Sequence, residues 1–278
     1  MARNFPKLPS FSNVSKGNTA TLELPIGRTY DKIHVNYAGV TLAQLKNIVF
    51  EVNGKPILSF ADGQALQDFN KRYGRNSVAG VLDFHFKRDE MKTLSEARAF
   101  ALGTSSQPYQ DPKTGQLTQP PVISNVTMRI DIDAAATAPK LEAFAIQSNA
   151  APIGFITKVK NFPVALNAGV TEIDKIPRPN TARIAALHVV TSADVTAVEV
   201  ELDSIKIYEL PKTLGEKVQV DHGRQPQTGQ VSVDFILEGD MLQALPMMNT
   251  QDFRIRVKTT DAAAATIVVE YFDGLAGI

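Results

Sequence analysis

Carboxylates and histidines are the residues of this sequence with the widest chemical reach. Asp131 and Asp133 alternate with Ile130 and Ile132, which places both carboxylates on one face of a strand. A pair so placed is a candidate for Ca²⁺, which takes oxygen ligands, or for the acid and base of glycoside hydrolysis. Arg129 lies next along that face and offers the plainer alternative, an ion pair with Asp131. No EF-hand ligand run accompanies the pair, so catalysis is not expected, and Ca²⁺ is the reading kept for these two residues. His34, His85, His188 and His222 are far apart and none stands in a zinc-binding spacing. His34 and His85 alternate with apolar residues, which makes them surface or interface histidines.

Other chemistries find no purchase. There is no GxSxG elbow for a serine nucleophile, and Gly74 to Gly80 has neither phosphate-loop spacing. The nearby Lys71, Arg72 and Arg75 read as the solvated end of a helix, where the dipole favours cations. With Cys 0, a thiolate zinc site, a cysteine nucleophile and a disulfide scaffold are excluded. Two glycosylation sequons, at Asn13 and Asn125, carry no meaning without a secretory signal. Near the N-terminus, Phe5, Leu8 and Phe11 alternate with Pro6 and Pro9, which disfavours a helix and favours an extended arm. That arm is either a tail or a segment that packs its Phe5, Leu8 and Phe11 side chains on a neighbouring subunit.

Charge narrows the partners. Lys+Arg 29 against Asp+Glu 29 gives a formal net charge of zero, which argues against a polyanion-binding protein. A chain near neutrality is poorly protected from self-association, a liability for a monomer and harmless in an assembly. No apolar h-region follows Arg3 and Lys7, and the longest uncharged apolar run, Ala262 to Val269, is far short of the roughly 20 residues of a membrane span. The chain therefore reads as soluble. Its 278 residues are enough for about two domains.

The elements that position these residues are mostly strands. Leu82, Phe84 and Phe86 share one face and Asp83, His85 and Lys87 the other; the same period recurs at Val126 to Asp133, Val198 to Asp203 and Phe253 to Lys258. Half-polar strands of this kind belong to antiparallel sheets rather than to a parallel sheet covered by helices. Asn53-Gly54 between apolar runs predicts a type I′ hairpin. A helix is predicted over Asp62 to Tyr73, capped by Asp62 and ended by Gly74, and a second over Asp89 to Ala101.

A repeat spans about half the chain. Phe50 to Ile57 aligns with Val200 to Ile207, Lys32-Ile33 with Arg183-Ile184, Val81 to Phe84 with Ser232 to Phe235, and Asp133 to Ala136 with Asp261 to Ala264. Two copies of one β domain follow, each suited to a β-sandwich of jelly-roll type. The expected layout is an arm at 1–19, a first sandwich at 20–155 and a second at 156–278, joined around Ala150 to Val170. The polar stretch Gly103 to Asn125 is expected to be a long surface loop inserted in the first copy.

Leu24-Pro25-Ile26-Gly27-Arg28-Thr29-Tyr30, Ala38 to Thr41, Phe84-His85-Phe86 with Glu90-Met91-Lys92, and Phe100 to Thr104 resemble the corticovirus major capsid protein family. So do Ile130 to Ala136 with Pro139 to Leu141, Arg178-Pro179 with Arg183 to Ala186 and His188, and Phe235 to Asp240. These are coat proteins of tailless icosahedral bacteriophages with an internal membrane. The resemblance covers about Pro25 to Tyr271 and departs from the family at Gly103 to Asn125, Asn161 to Asp174 and Leu210 to Gly229.

What it implies is an all-β double jelly roll, two tandem antiparallel sandwiches with short crossover helices, working as a structural protein and not an enzyme. It also implies homotrimeric, pseudo-hexagonal capsomers that tile an icosahedral shell over a membrane, with vertex proteins as further partners and no direct nucleic-acid contact. The implied place is the virion capsid, after synthesis in the bacterial cytoplasm, with Ca²⁺ as a structural ion rather than a chemical cofactor. The alternative is a tandem jelly-roll protein that binds or cleaves carbohydrate, which the lack of Trp and the 7% aromatic content disfavour.

Overall fold

The computed structural model describes residues 3–110 and 114–277; Met1 and Ala2 of the expected arm, residues 111–113 of the expected insertion and Ile278 lie outside the described residues. Two units are formed, the first from residues up to 70 and 76–157, the second from residues 71–75 and from 158 onward. Among the described residues no helix is long and apolar enough to cross a membrane.

The first unit contains β1 (Thr19–Glu23), β2 (Thr29–Ala38), β3 (Leu45–Val52), β4 (Lys55–Asp62) and β5 (Val81–His85). It continues with β6 (Leu102–Gly103), β7 (Tyr109–Gln110), β8 (Leu117–Thr118), β9 (Val126–Ile132) and β10 (Lys140–Ser148). One sheet has the order β1-β9-β3-β4, and a second runs β10-β2-β5 with β6 also on β2. Every pairing with a described register is antiparallel. The predicted alternation sets which side is buried: Leu82 and Phe84 of β5 and Val126, Met128, Ile130 and Ile132 of β9 point inward. Phe50 of β3 meets Phe84 of β5 in the other sheet and Phe86 just beyond it, with ring centroids 6.4 and 4.8 Å away.

The second unit repeats the layout of these two sheets, without a counterpart to the β7–β8 pair among the described residues. It holds β11 (Ile156–Leu166), which starts at the boundary, β12 (Gly169–Ile173), β13 (Arg183–Thr191), β14 (Val195–Leu202) and β15 (Ile205–Pro211). β16 (Gln230–Asp234), β17 (Leu245–Pro246), β18 (Phe253–Thr259) and β19 (Ala263–Asp273) complete it. Its sheets run β12-β18-β14-β15 and β11-β19-β13-β16, with β17 on β13 where the first unit has β6 on β2. Val198 and Val200 of one sheet and Leu187, Ile267 and Val269 of the other share one core with Phe253, Ile255 and Val257. Each of these large side chains contributes roughly 1.5–3 kcal/mol by leaving water.

The duplication extends to local irregularities. The β3–β4 hairpin turns at Asn53 (φ 51) and Gly54 (φ 72), and the β14–β15 hairpin at Asp203 (φ 46) and Ser204 (φ 68). Both carry a bulge at the same place: Phe50 opposes Leu58 and Glu51 opposes Pro56, as Val200 opposes Tyr208 and Glu201 opposes Lys206. Ile57 and Ile207 are the extra residues. A helix follows each hairpin, α1 (Gly63–Arg72) in one copy. Asp62 caps α1 by accepting from the Ala65 N–H at 2.8 Å, and Gly74, at φ 67, ends it as predicted.

Four expectations need correction. The second predicted helix is shorter, α2 (Leu94–Ala99), because Thr93 takes the N-cap by accepting from the Glu96 N–H. The segment Lys212–Asp221, where no helix was predicted, forms α3. The expected connection at Ala150 to Val170 does hold the boundary between the units, but about half of it is strand β11, whose uneven burial leaves no readable period. The expected loop from Gly103 begins inside the fold: Gly103, Thr104 and Ser105 are buried, and a Cβ on Gly103 would lie 2.2 Å from the Pro152 carbonyl oxygen.

Candidate functional site

The arm lies on its own chain. Asn4 exchanges backbone hydrogen bonds with Gln147, the Ala145 N–H donates to Pro6 and the Leu8 N–H donates to Ala143, so residues 4–8 form an outer strand beside β10. Leu8 and Phe11 are thereby buried, whereas Phe5 is 71% exposed. Of the three arm residues expected to reach a neighbour, Leu8 and Phe11 are committed within this chain, because their apolar surface is satisfied next to β10 and β1. In the second unit β11 takes the equivalent place beside β19.

Asp131 and Asp133 are both engaged by protein donors. Asp131 accepts from the Thr19 hydroxyl at 2.5 Å and from the Asn47 amide at 2.9 Å. Asp133 is bound by the Lys46 ammonium and accepts from the Ala135 N–H at 2.8 Å. That hydrogen-bonded ammonium holds the Asp133 carboxyl below its usual range. Arg129, the anticipated partner of Asp131, instead donates to Glu51 at 2.5 Å. Among the described residues no three His, Asp or Glu side chains come together as a metal site. Ca²⁺ needs six or more oxygens, and here an ammonium stands against one of the two carboxylates, so within one chain the pair does not fit it.

The histidines divide. His34 is half-buried on β2 and its Nδ1 lies 2.5 Å from Asp83, His85 is half-buried on β5, and His222 follows α3 with Nδ1 2.8 Å from the Val218 carbonyl. His188 differs, being enclosed in the second unit with Arg72, Tyr73, Ser232, Asp234 and Glu270. Arg72 Nη1 lies 2.6 Å from His188 Nδ1, and His188 Nε2 lies 2.8 Å from Glu270. A guanidinium can only donate, so Nδ1 accepts and the imidazole proton sits on Nε2, donating to Glu270. Ser232, which accepts from the Gln230 amide, donates to the same Nδ1, and the Tyr73 hydroxyl donates to Glu270 at 2.6 Å. Arg224 and Arg72 both bind Asp234, at 2.8 and 3.3 Å. Two guanidinium charges thus meet two carboxylates around a neutral ring. Burial, then the Arg72 charge, push the His188 pKa down.

Arg72 corrects the reading of a solvated helix end, since its side chain is 1% exposed. A second enclosed pair joins Lys158 of β11 to Asp273 of β19 at 3.0 Å, with the ammonium also donating to the Gly274 carbonyl at 2.6 Å. No sequence signal announced either group, because their partners lie far along the chain. Both groups are sealed from solvent, which suits them to fixing strand positions and not to meeting a substrate.

Large apolar side chains are exposed on several strands and turns, among them Val170, Ile205, Ile207, Leu242 and Met248.

Residues 5–149 match the family description "Viral coat protein P2 N-terminal domain", and residues 156–275 match "Viral coat protein P2 C-terminal domain". The major capsid protein P2 of Pseudoalteromonas phage PM2 is 36% identical over 276 residues, covering 97% of this chain and 96% of the relative. The crystal structure of P2 from bacteriophage PM2 superposes with a TM-score of 0.91 at 35% identity, covering 100% of both chains. The STIV MCP matches at a TM-score of 0.69 and 11% identity over 98% of this chain and 97% of its own, a likeness of fold.

Proposed function

This chain belongs to the viral coat protein P2 family, and from that membership we infer that it is the major capsid protein of an icosahedral bacteriophage. The observation that carries the reading is the full-length match to the phage PM2 coat protein at a TM-score of 0.91 with 35% identity, both domains standing in the same order. The fold is the double jelly roll. The alternative of a carbohydrate-binding or glycan-cleaving protein has no support among these relatives.

The working unit proposed is a homotrimer. Three chains of two matched sandwiches present six near-equivalent bodies, which lets a threefold particle occupy sixfold lattice positions. The chain then acts through its surfaces, without a catalytic centre, as part of a virion shell assembled from chains made in the host cytoplasm. A membrane beneath the shell and vertex proteins at its fivefold positions complete the proposed surroundings. Exposed apolar residues on both units support this reading, since an assembly covers them.

Negative-stain images of the purified protein test it. Particles with a hexagonal outline and threefold symmetry are expected; separate single-chain particles at all protein and salt concentrations would refute it.

A further inference from the structure

β15 is the bare counterpart of a covered strand. By the shared bulge, Ile57 and Ile207 are equivalent, yet Ile57 is 1% exposed and Ile207 37%. Leu58 and Phe60 of β4 are likewise buried while Tyr208 and Leu210 are not, and Ile205 at the start of β15 is 67% exposed. Among the described residues β15 pairs with β14 on one side and ends its sheet on the other. An unpaired strand edge, apolar at Ile205 and Ile207 and with the Lys206 charge already paired to Glu199 and Glu209, is a template for another strand.

The first unit offers a matching edge. In the arm the peptide groups of Asn4, Pro6 and Leu8 are turned to β10, so those of Phe5 and Lys7 face outward. Pro6, which lacks an N–H, is turned inward, and the outward donors of Phe5 and Lys7 are intact up to Pro9. Phe5, the most exposed side chain of the arm's apolar three, stands on this free edge.

We propose that the arm of one subunit, residues 4–8, adds as a strand to the β15 edge of a second copy of this chain, covering Ile205 and Ile207 and continuing the sheet across the subunit boundary. This rests on the coat-protein reading. The contact joins two different surfaces, so it is heterologous, the kind that closes a ring of three when successive copies are related by a threefold rotation, as in the proposed homotrimer. It also gives the arm a role in both bodies: Leu8 anchors it in its own sandwich and Phe5 meets the neighbour.

The chain has no cysteine of its own, so introduced pairs report without background. Single variants Phe5→Cys and Ile207→Cys, both at exposed positions, are mixed under assembly conditions and treated with a short bismaleimide, beside the double variant. Expected are F5C–I207C heterodimers from the mixture and covalent trimers from the double variant. A particle of trimer mass whose crosslinks do not exceed those of either single variant would overturn the arm–β15 contact and leave the coat reading standing. A monomer under all ionic conditions would overturn both. As an independent arm, Ile207→Lys, with unchanged circular dichroism, should weaken trimer association at least about tenfold, and unchanged association would count against the proposal.

Discussion

His188 makes the second unit acid-sensitive in a window that can be stated in advance. Its folded-state pKa lies below that of the free imidazole, about 6.5, because burial and Arg72 oppose a second proton. The unfolded chain therefore binds that proton first as pH falls. Stability from this site is complete above about pH 6.5 and is lost on acidification toward the lower folded value. One site can remove at most about 1.4 kcal/mol per pH unit.

The perturbation is His188→Asn, whose amide oxygen replaces Nδ1 as the acceptor for Arg72 but leaves Glu270 without its imidazole donor. Loss of a hydrogen bond to a buried carboxylate, with a small cavity, costs about 3 kcal/mol at pH 7.5. The variant does not titrate here, so its deficit should shrink by up to about 1.4 kcal/mol between pH 7.5 and 5.5. Hydrogen exchange of the β13 peptide, residues 183–191, reads this locally in both proteins across that range. Parallel pH profiles would refute the argument, since they would mean that the folded ring takes its proton as readily as the unfolded one.

Removing one partner of the Lys158–Asp273 pair should be severe: Asp273→Ala strands an enclosed ammonium and is expected to cost about 3–5 kcal/mol by urea unfolding, while Lys158→Met with Asp273→Leu should recover most of it. Gly39→Ala should lower the unfolding midpoint of the first unit, because Gly39 has φ +71 and an added Cβ would sit 2.0 Å from the Ala138 carbonyl oxygen; an unchanged midpoint would refute the packing described there. Asp131→Ala removes two partly exposed hydrogen bonds and should cost about 1–2 kcal/mol, with no change in the response to added Ca²⁺ by thermal melting. Tyr30, whose hydroxyl donates to the Pro25 carbonyl, has its pKa pushed up to about 12 by burial, so ultraviolet titration should find it unionised at pH 11.

Much of this architecture was legible because it is written in local periods. Strands such as β5, β9 and β18 alternate as sequence alone requires, and the Asn53-Gly54 turn and the Asp62 and Gly74 caps are chemical punctuation. The repeat disclosed two equivalent sandwiches. α3 was hidden because Pro211 supplies no side-chain cap, and Gly215 and two valines give the helix little propensity of its own. Gly215 leaves room for the Tyr208 hydroxyl, which would have to shift for an added Cβ, 2.4 Å away. Arg72 was misread for a related reason: its neighbours in sequence describe a helix end, and the groups that enclose it, His188 and Asp234, are more than a hundred residues away. Phe5, Leu8 and Phe11 were correctly marked as unusual, but nothing local separates the two that are buried at home from the one that is not.

Size-exclusion chromatography with light scattering bears most directly on the claim that this chain is a coat subunit. One chain is 30.2 kDa, so the account predicts a species of about 91 kDa, three chains, under assembly conditions. A mass that stays at 30.2 kDa across protein concentration and ionic strength would contradict it.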